Sequence, residues 1–448
     1  MKKKWIGCLL AVILTFGGCG IKAPGQDSME KPKLSAVQQE IYSRLNDIAG
    51  KDYKLAAALE GDNKGGVKLV DIDGDGQEEA VIFYTRGNMD TAVNILVLDA
   101  VAGKWESIGD IKSSAYQVNK VDYEDMTGDG VPDIVVGWQL SDGFQKGIGI
   151  YAFRSGQVSE IFTNLCTAEV VADFDGDRQG ELLLTKHDRE NYTGQAELYK
   201  YRDGQMALIN TAPMDGGINS IEAVQLGMAS ADQQGVFIDM GVGAHSATTT
   251  LLIVKEDKIQ NVFYNEIGEL NQKTFKPYPF NCLDIDGDGI IEIPVQIPAP
   301  GYENASMVET QWITNWFEWD GKNDITLSSQ NFYNYVDGYF LNIPENWKDL
   351  ITIKRITAEQ GEEKVVYSYY EKNSGQEYPL FEITAYDINT WEKQKPEGMT
   401  ELGRYLNKVY GLRLLPLGQL PEQVQQMSVG PDSIKANFHV ISTNSLGQ

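Results

Sequence analysis

The chain has 448 residues, 42% of them apolar, with 38 lysines and arginines against 64 aspartates and glutamates. That length exceeds a typical single compact domain, and the apolar share is ample for a large core, so one large and one smaller domain are expected. The formal charge of −26, taken to −29 when Lys2, Lys3 and Lys4 leave with residues 1–18, disfavours nucleic acid and anionic lipid as direct partners.

Residues 1–18 begin with Met1-Lys-Lys-Lys4, continue through the apolar run 5–16 and end on Gly17-Gly18 before Cys19. This is the charged, apolar and small-residue succession of an export signal. The cysteine after two glycines resembles a bacterial lipobox, which implies that Cys19 becomes the lipidated first residue of an exported protein. The membrane is then a partner through that lipid, on the extracytoplasmic face. No later stretch reaches the roughly 18 apolar residues that span a bilayer. Residues 19–33 form a polar tether. Residues 34–51 contain a helix, since Leu34, Val37, Ile41, Leu45 and Ile48 share one helical face and Ser35 with Gln38 has the form of a capping box.

An acidic nonapeptide then occurs four times. The copies start at Asp71, Asp125, Asp173 and Asp284 and place oxygen side chains at positions 1, 3, 5 and 9. The candidate ligands are Asp71, Asp73, Asp75 and Glu79; Asp125, Thr127, Asp129 and Asp133; Asp173, Asp175, Asp177 and Glu181; and Asp284, Asp286, Asp288 and Glu292. Position 7 (Gln77, Val131, Gln179, Ile290) has no consistent type, as expected of a residue that gives only its backbone carbonyl. A hard cation needing six to eight oxygens suits such a loop, so Ca2+ is expected at three to four sites, more weakly in the Thr127 copy. An EF-hand is excluded because the twelfth residues are Ile82, Val136, Leu184 and Val295, where it needs a glutamate.

Apolar runs after position 9 read as strands, and about 30 residues after each loop start a hairpin follows, for example 150–158 and 198–206. The loop starts are spaced by 54, 48 and 111 residues, which predicts a degraded copy near Met228, with Ser230 and Val236 also replacing ligands. Four strands per unit of about 50 residues predict a mainly β fold: a β-propeller of about five four-stranded blades over residues 52–335. Successive strands and short helices over 336–448, the latter at 421–427 and 431–440, predict a small C-terminal α+β domain. Cys166 and Cys282 sit at different places in non-adjacent repeats and are expected as buried free thiols.

The loops with their following strands, most clearly Thr127 to Gly137 and Asp284 to Glu292, resemble the FG-GAP and VCBS-type repeats of integrin-α-like propellers. The resemblance implies calcium in the loops and use in adhesion or protein contacts. Known catalytic signatures are missing, and His187, His245 and His439 lack metal or triad spacing. The aromatic group Trp312, Trp316, Phe317, Trp319 and Tyr302 suits either sugar stacking or packing against the C-terminal domain. The expectation is therefore a lipid-anchored, calcium-stabilised surface binding, adhesion or scaffold protein with an unknown protein or glycan partner and no catalysis. The alternative is an extracytoplasmic hydrolase or lyase acting on polysaccharide.

Overall fold

The computed structural model describes residues 34–441 apart from 88–89, 141–145, 265–271, 358–362, 394, 417–421, 423, 425–426 and 428. Cys19, the export signal and the tether lie outside the described residues, as does most of the helix expected over 421–427. Helix α1 (Ala36–Ala49) starts with the capping box: Gln38 N donates to Ser35 Oγ, and Ser35 N donates to Gln38 Oε1. Two orphan N–H groups of its first turn are thereby satisfied.

The rest is mainly β and antiparallel. Sheet I contains β1 (Lys54–Leu55), β2 (Val67–Val70), β3 (Glu79–Arg86), β4 (Asp90–Val101) and β5 (Lys104–Lys112). Sheet II is β6 (Gln117–Glu124), β7 (Asp133–Gln139), β8 (Lys146–Arg154) and β9 (Gln157–Cys166) in order. Sheet III is β10 (Ala168–Ala172), β11 (Glu181–Asp188), β12 (Thr193–Arg202) and β13 (Gln205–Met214). Sheet IV is β14 (Ser220–Ser230), β15 (Gln233–Val242), β16 (Ser246–Lys255) and β17 (Lys258–Asn261). Sheet V begins β18 (Ile293–Pro298), β19 (Trp312–Trp319), β20 (Ile325–Asn334) and β21 (Tyr339–Asn342).

Sheet VI follows, with β22 (Ile351–Thr357), β23 (Glu363–Glu371), β24 (Gln376–Asp387), β25 (Thr400–Tyr405) and β26 (Lys408–Leu414); helix α2 (Ile388–Lys393) lies between β24 and β25. Helix α3 (Pro431–Asn437), with proline in its first turn, leads into β27 (Phe438–Val440), which pairs with β21 and completes sheet V. The expected boundary at 335/336 thus falls between two paired strands, β20 and β21. The expected helix at 431–440 stops at Asn437 because the chain enters the sheet at Phe438.

Strand alternation stacks these sheets in chain order. On β3, Val81 and Phe83 meet Ile134, Val136 and Trp138 of sheet II, while Ala80, Ile82 and Tyr84 face the other way onto Ile41 and Leu45 of α1. Val135 on the far side of β7 meets Leu182 and Leu184 of β11, whose Leu183 meets Val236 and Ile238 of β15. Phe237 then packs with Ile293 and Trp319, and Ile313 and Phe332 on the far side of sheet V join the core of sheet VI. These strands bury both faces, which is why they read as continuous apolar runs. Five sheets therefore stand face to face, but sheets I and V have five strands rather than four. Helix α1 covers the first outward face and sheet VI covers the last.

The aromatic group belongs to this packing. Trp316 and Trp319 are buried, Trp312 lies edge-on against Tyr278, and Tyr302 donates its hydroxyl to the Ile353 carbonyl between sheets V and VI. Cys166 and Cys282 are buried free thiols, as expected. Among the described residues no helix is long and apolar enough to cross a membrane.

Candidate functional site

The four acidic nonapeptides have one local fold. In each, the position 1 carboxylate curls the chain by accepting backbone N–H bonds. Asp71 accepts from Gly74 and Gly76, Asp125 from Gly128, Asp129 and Gly130, Asp173 from Gly176 and Arg178, and Asp284 from Gly287 and Gly289. The curl needs positive φ at position 6, where Gly76, Gly130 and Gly289 sit; Arg178 adopts +71° in the third loop. Position 9 opens the next strand and ties the loop back. One oxygen each of Glu79, Asp133, Glu181 and Glu292 accepts from the N–H of Ile72, Met126, Phe174 and Ile285 respectively.

The other oxygen of position 9 tests whether a cation fits. Glu79 and Glu292 are fully buried, and the Oε1 of each has no hydrogen-bond partner. Leaving such an atom unsatisfied is costly, and a cation would satisfy it. Burial first, then neighbouring loop aspartates, pushes both carboxyls up to about 7. Ligand oxygens of Asp71, Asp73 and Glu79 converge, as do those of Asp284, Asp286 and Asp288. Both loops fit a cation. The third brings Asp173, Asp175 and Glu181 together as well, but Lys200 Nζ lies within 2.8 Å of Asp175, Asp177 and Glu181. In the second, Asp133 is one carbon shorter than glutamate. Its Oδ2 accepts from both Met126 N and Thr127 N, and Thr127 Oγ1 is buried without a partner.

Position 7 has a role that its varied residue types concealed. Val131 reaches back to the first loop, where a Cβ on Gly74 would lie 2.8 Å from its Cγ1, and Gln179 donates to the Met126 carbonyl of the second loop. Ile290 bridges to Met228, the first position of the degraded copy. Neighbouring loops therefore lean on one another. At the degraded copy β14 continues through Met228 to Ser230 and turns directly into β15, so no loop remains to hold an ion.

A second feature lies at the opposite ends of the same strands. β10 runs from Ala168 toward the third loop and β11 returns to Asp188, so Glu169 and His187 are remote from the acidic residues. There, the starts of β6, β10 and β14 border a cavity of 810 Å³ lined by Glu60, Lys120, Lys146, Glu169, His187, Arg189 and Glu222, among others. Lys120 is paired with Asp122 at 2.8 Å. Glu169 takes a weak Cys166 Sγ contact at 3.7 Å, and its Oε1 occupies space over Gly137, where a Cβ would approach to 2.3 Å. Burial lifts its carboxyl above the ordinary value, against the pull of Lys146 and Lys120.

His187 Nε2 is 3.1 Å from the Gly216 carbonyl oxygen. A carbonyl only accepts, so Nε2 carries the hydrogen and Nδ1 is the basic nitrogen of the neutral ring. The spacing of histidines in the sequence gave no sign of this, because the cavity is assembled from three sheets.

No protein-family description and no curated protein matches the sequence. Among solved structures the chain is similar to rhamnogalacturonan lyase YesW, at 11% identity and a TM-score of 0.31, covering 74% of this chain and 72% of that one. It is also similar to the rhamnogalacturonan lyase PL11 of Bacillus licheniformis, at 13% identity and a TM-score of 0.28, covering 74% and 72%. Saccharomyces cerevisiae Sqt1 is matched at 10% identity and a TM-score of 0.31, over 77% and 86%. Likeness at this level carries no argument about mechanism. Two of these three structures are of enzymes, and the expectation of a chain without catalysis is withdrawn.

Proposed function

We propose that this is an exported protein, anchored through lipid on Cys19, whose five stacked sheets form a calcium-stabilised propeller of the FG-GAP and VCBS type and which acts on an acidic polysaccharide in the cavity between sheets II, III and IV. The cavity is the observation that carries the reading. It places Lys120, Lys146 and Arg189 beside His187 and Glu169, with Glu60 and Glu222 on the same wall. The cations on that wall suit the carboxylates of uronic acid units.

The groups suit β-elimination. In that reaction a base takes the proton beside the uronate carboxylate, the bond to the leaving sugar oxygen breaks, and a carbon–carbon double bond forms. His187 Nδ1 supplies the base, and the lysines and Arg189 neutralise the carboxylate as charge develops. Glu169, with its raised affinity for a proton, is placed to return one to the leaving oxygen. Calcium belongs to the first and fourth loops, at the far ends of the strands, where it holds the frame and stays outside the chemistry.

The test is incubation of the full-length protein with neutral and uronate-containing polysaccharides, following ultraviolet absorbance of an unsaturated product together with new reducing ends. Turnover of an acidic glycan that falls about 10²–10⁴-fold in His187→Ala supports the reading. New reducing ends without the unsaturated product would reassign the reaction as hydrolysis. Binding without turnover across the panel would overturn the catalytic reading.

A further inference from the structure

The four loops share a sequence pattern but receive different residues from the next strand. Each second strand pairs with a third strand, against which the fourth strand bulges at the same level, beside Leu98, Tyr151, Tyr199 and Phe317. These residues lie opposite Ala80, Ile134, Leu182 and Ile293, the residues immediately after position 9. The next residue along the third strand is therefore equivalent in all four sheets. It is Asp99, Ala152, Lys200 and Glu318.

In sheet III this residue fills the loop. Lys200 Nζ lies 2.8 Å from Asp175 Oδ2, 2.7 Å from Asp177 Oδ2 and 2.5 Å from Glu181 Oε1, with only 6% of the side chain exposed. Asp175 and Asp177 accept hydrogen bonds from this ammonium, and Glu181 Oε1 is its third, ion-pair contact. These are the oxygens of positions 3, 5 and 9 that a calcium ion would need at about 2.3–2.6 Å, so ion and ammonium cannot share the space. In sheets I and V the equivalent residues, Asp99 and Glu318, are carboxylates and bring no ammonium to their loops, where Glu79 Oε1 and Glu292 Oε1 are buried without a hydrogen-bond partner. The third loop also departs from the others in placing Arg178 where they place glycine.

We infer that the third loop is closed to divalent cations by Lys200, which serves as its built-in cation, while the loops whose equivalent residue is acidic, the first and fourth, are the ones that take the ion. The inference rests on the reading of these loops as cation sites. Its consequence is that removing calcium relaxes the two ends of the loop array and leaves the sheet III loop in its present shape.

The experiment uses the full-length protein in two ways. In crystals soaked with terbium, a trivalent stand-in for calcium, anomalous peaks are expected in the first and fourth loops and none among Asp173, Asp175, Asp177 and Glu181. A terbium peak in the third loop would overturn the inference. Independently, native mass spectrometry should count one more calcium ion on Lys200→Met than on the parent protein, and an unchanged count would also overturn it. Should Lys200→Met fail to fold, the crystal result decides alone. Should the first and fourth loops bind nothing, the calcium reading fails, and the Lys200→Met count still decides whether Lys200 was the obstruction.

Discussion

Stripping divalent ions from the protein should invert its response to mild acid. Glu79 and Glu292 are fully buried with one unpartnered oxygen each, and their carboxyls are pushed from 4.5 up to about 7. A raised carboxyl pKa in the folded state means that the folded chain holds a proton which the unfolded chain releases between about pH 4.5 and 7. The destabilisation is therefore fully present above about pH 7 and is relieved as pH falls toward 4.5. At about 1.36 kcal/mol per unit, the full relief is on the order of 3 kcal/mol for each glutamate. Between pH 7 and 5.5 the same linkage gives about 1.6 kcal/mol each, so roughly 3 kcal/mol for the pair. Asp133, pushed up to about 6 mainly by burial, adds to the same trend.

The assay is urea unfolding of ion-stripped protein at pH 7 and pH 5.5, repeated in saturating calcium. The stripped protein should be more stable at pH 5.5. Calcium at about a hundred times its dissociation constant should add about 2.7 kcal/mol per site at pH 7 and less at pH 5.5, where protons compete for the same oxygens. A stripped protein that weakens steadily from pH 7 to 5.5, with calcium making no difference at either pH, would refute the argument that these glutamates await a cation.

Other expectations follow from packing. Leu45→Ala should cost about 2–5 kcal/mol in a urea melt, because Leu45 is fully buried between α1 and sheet I; a loss under about 1 kcal/mol would mean that the helix does not cover that face. Lys276→Met should cost about 3–5 kcal/mol, since Lys276 is fully buried and donates to Asp239 Oδ1 at 2.5 Å and to the Phe280 carbonyl at 2.6 Å. Adding Asp239→Leu should recover part of that loss in a double-mutant cycle, by removing the stranded charge. Gly137→Ala should displace Glu169 and lower turnover of an acidic glycan by up to about 10²-fold, with the melting temperature nearly unchanged, and unaltered kinetics would remove Glu169 from the reaction.

The parts of this protein legible in the sequence are those fixed within one or two turns of chain. The capping box of α1 depends on residues three apart, and the position 1, 3, 5 and 9 pattern depends on hydrogen bonds that never leave the loop. The second strands and later hairpins announced themselves through apolar runs and turn residues. The intervals between loops also located the degraded copy, which the structure shows as a plain β14–β15 turn.

What crosses between sheets was not legible. Lys200 reaches the third loop because the β11–β12 register and the β13 bulge opposite Tyr199 bring it there, and no local pattern marks a lysine for that task. Val131 and Gln179 looked arbitrary at position 7 because their partners belong to the preceding loop. That His187 shares a cavity with Lys120, Lys146 and Glu169 was not legible, because these residues come from other strands. The sequence determined the loops, the strands and the first helix, since short-range hydrogen bonding and alternation decide those. Strand register and face-to-face stacking decided which side chains meet each acidic loop, what covers the two outer faces, and which charges meet in the cavity, since these depend on residues far apart in the chain.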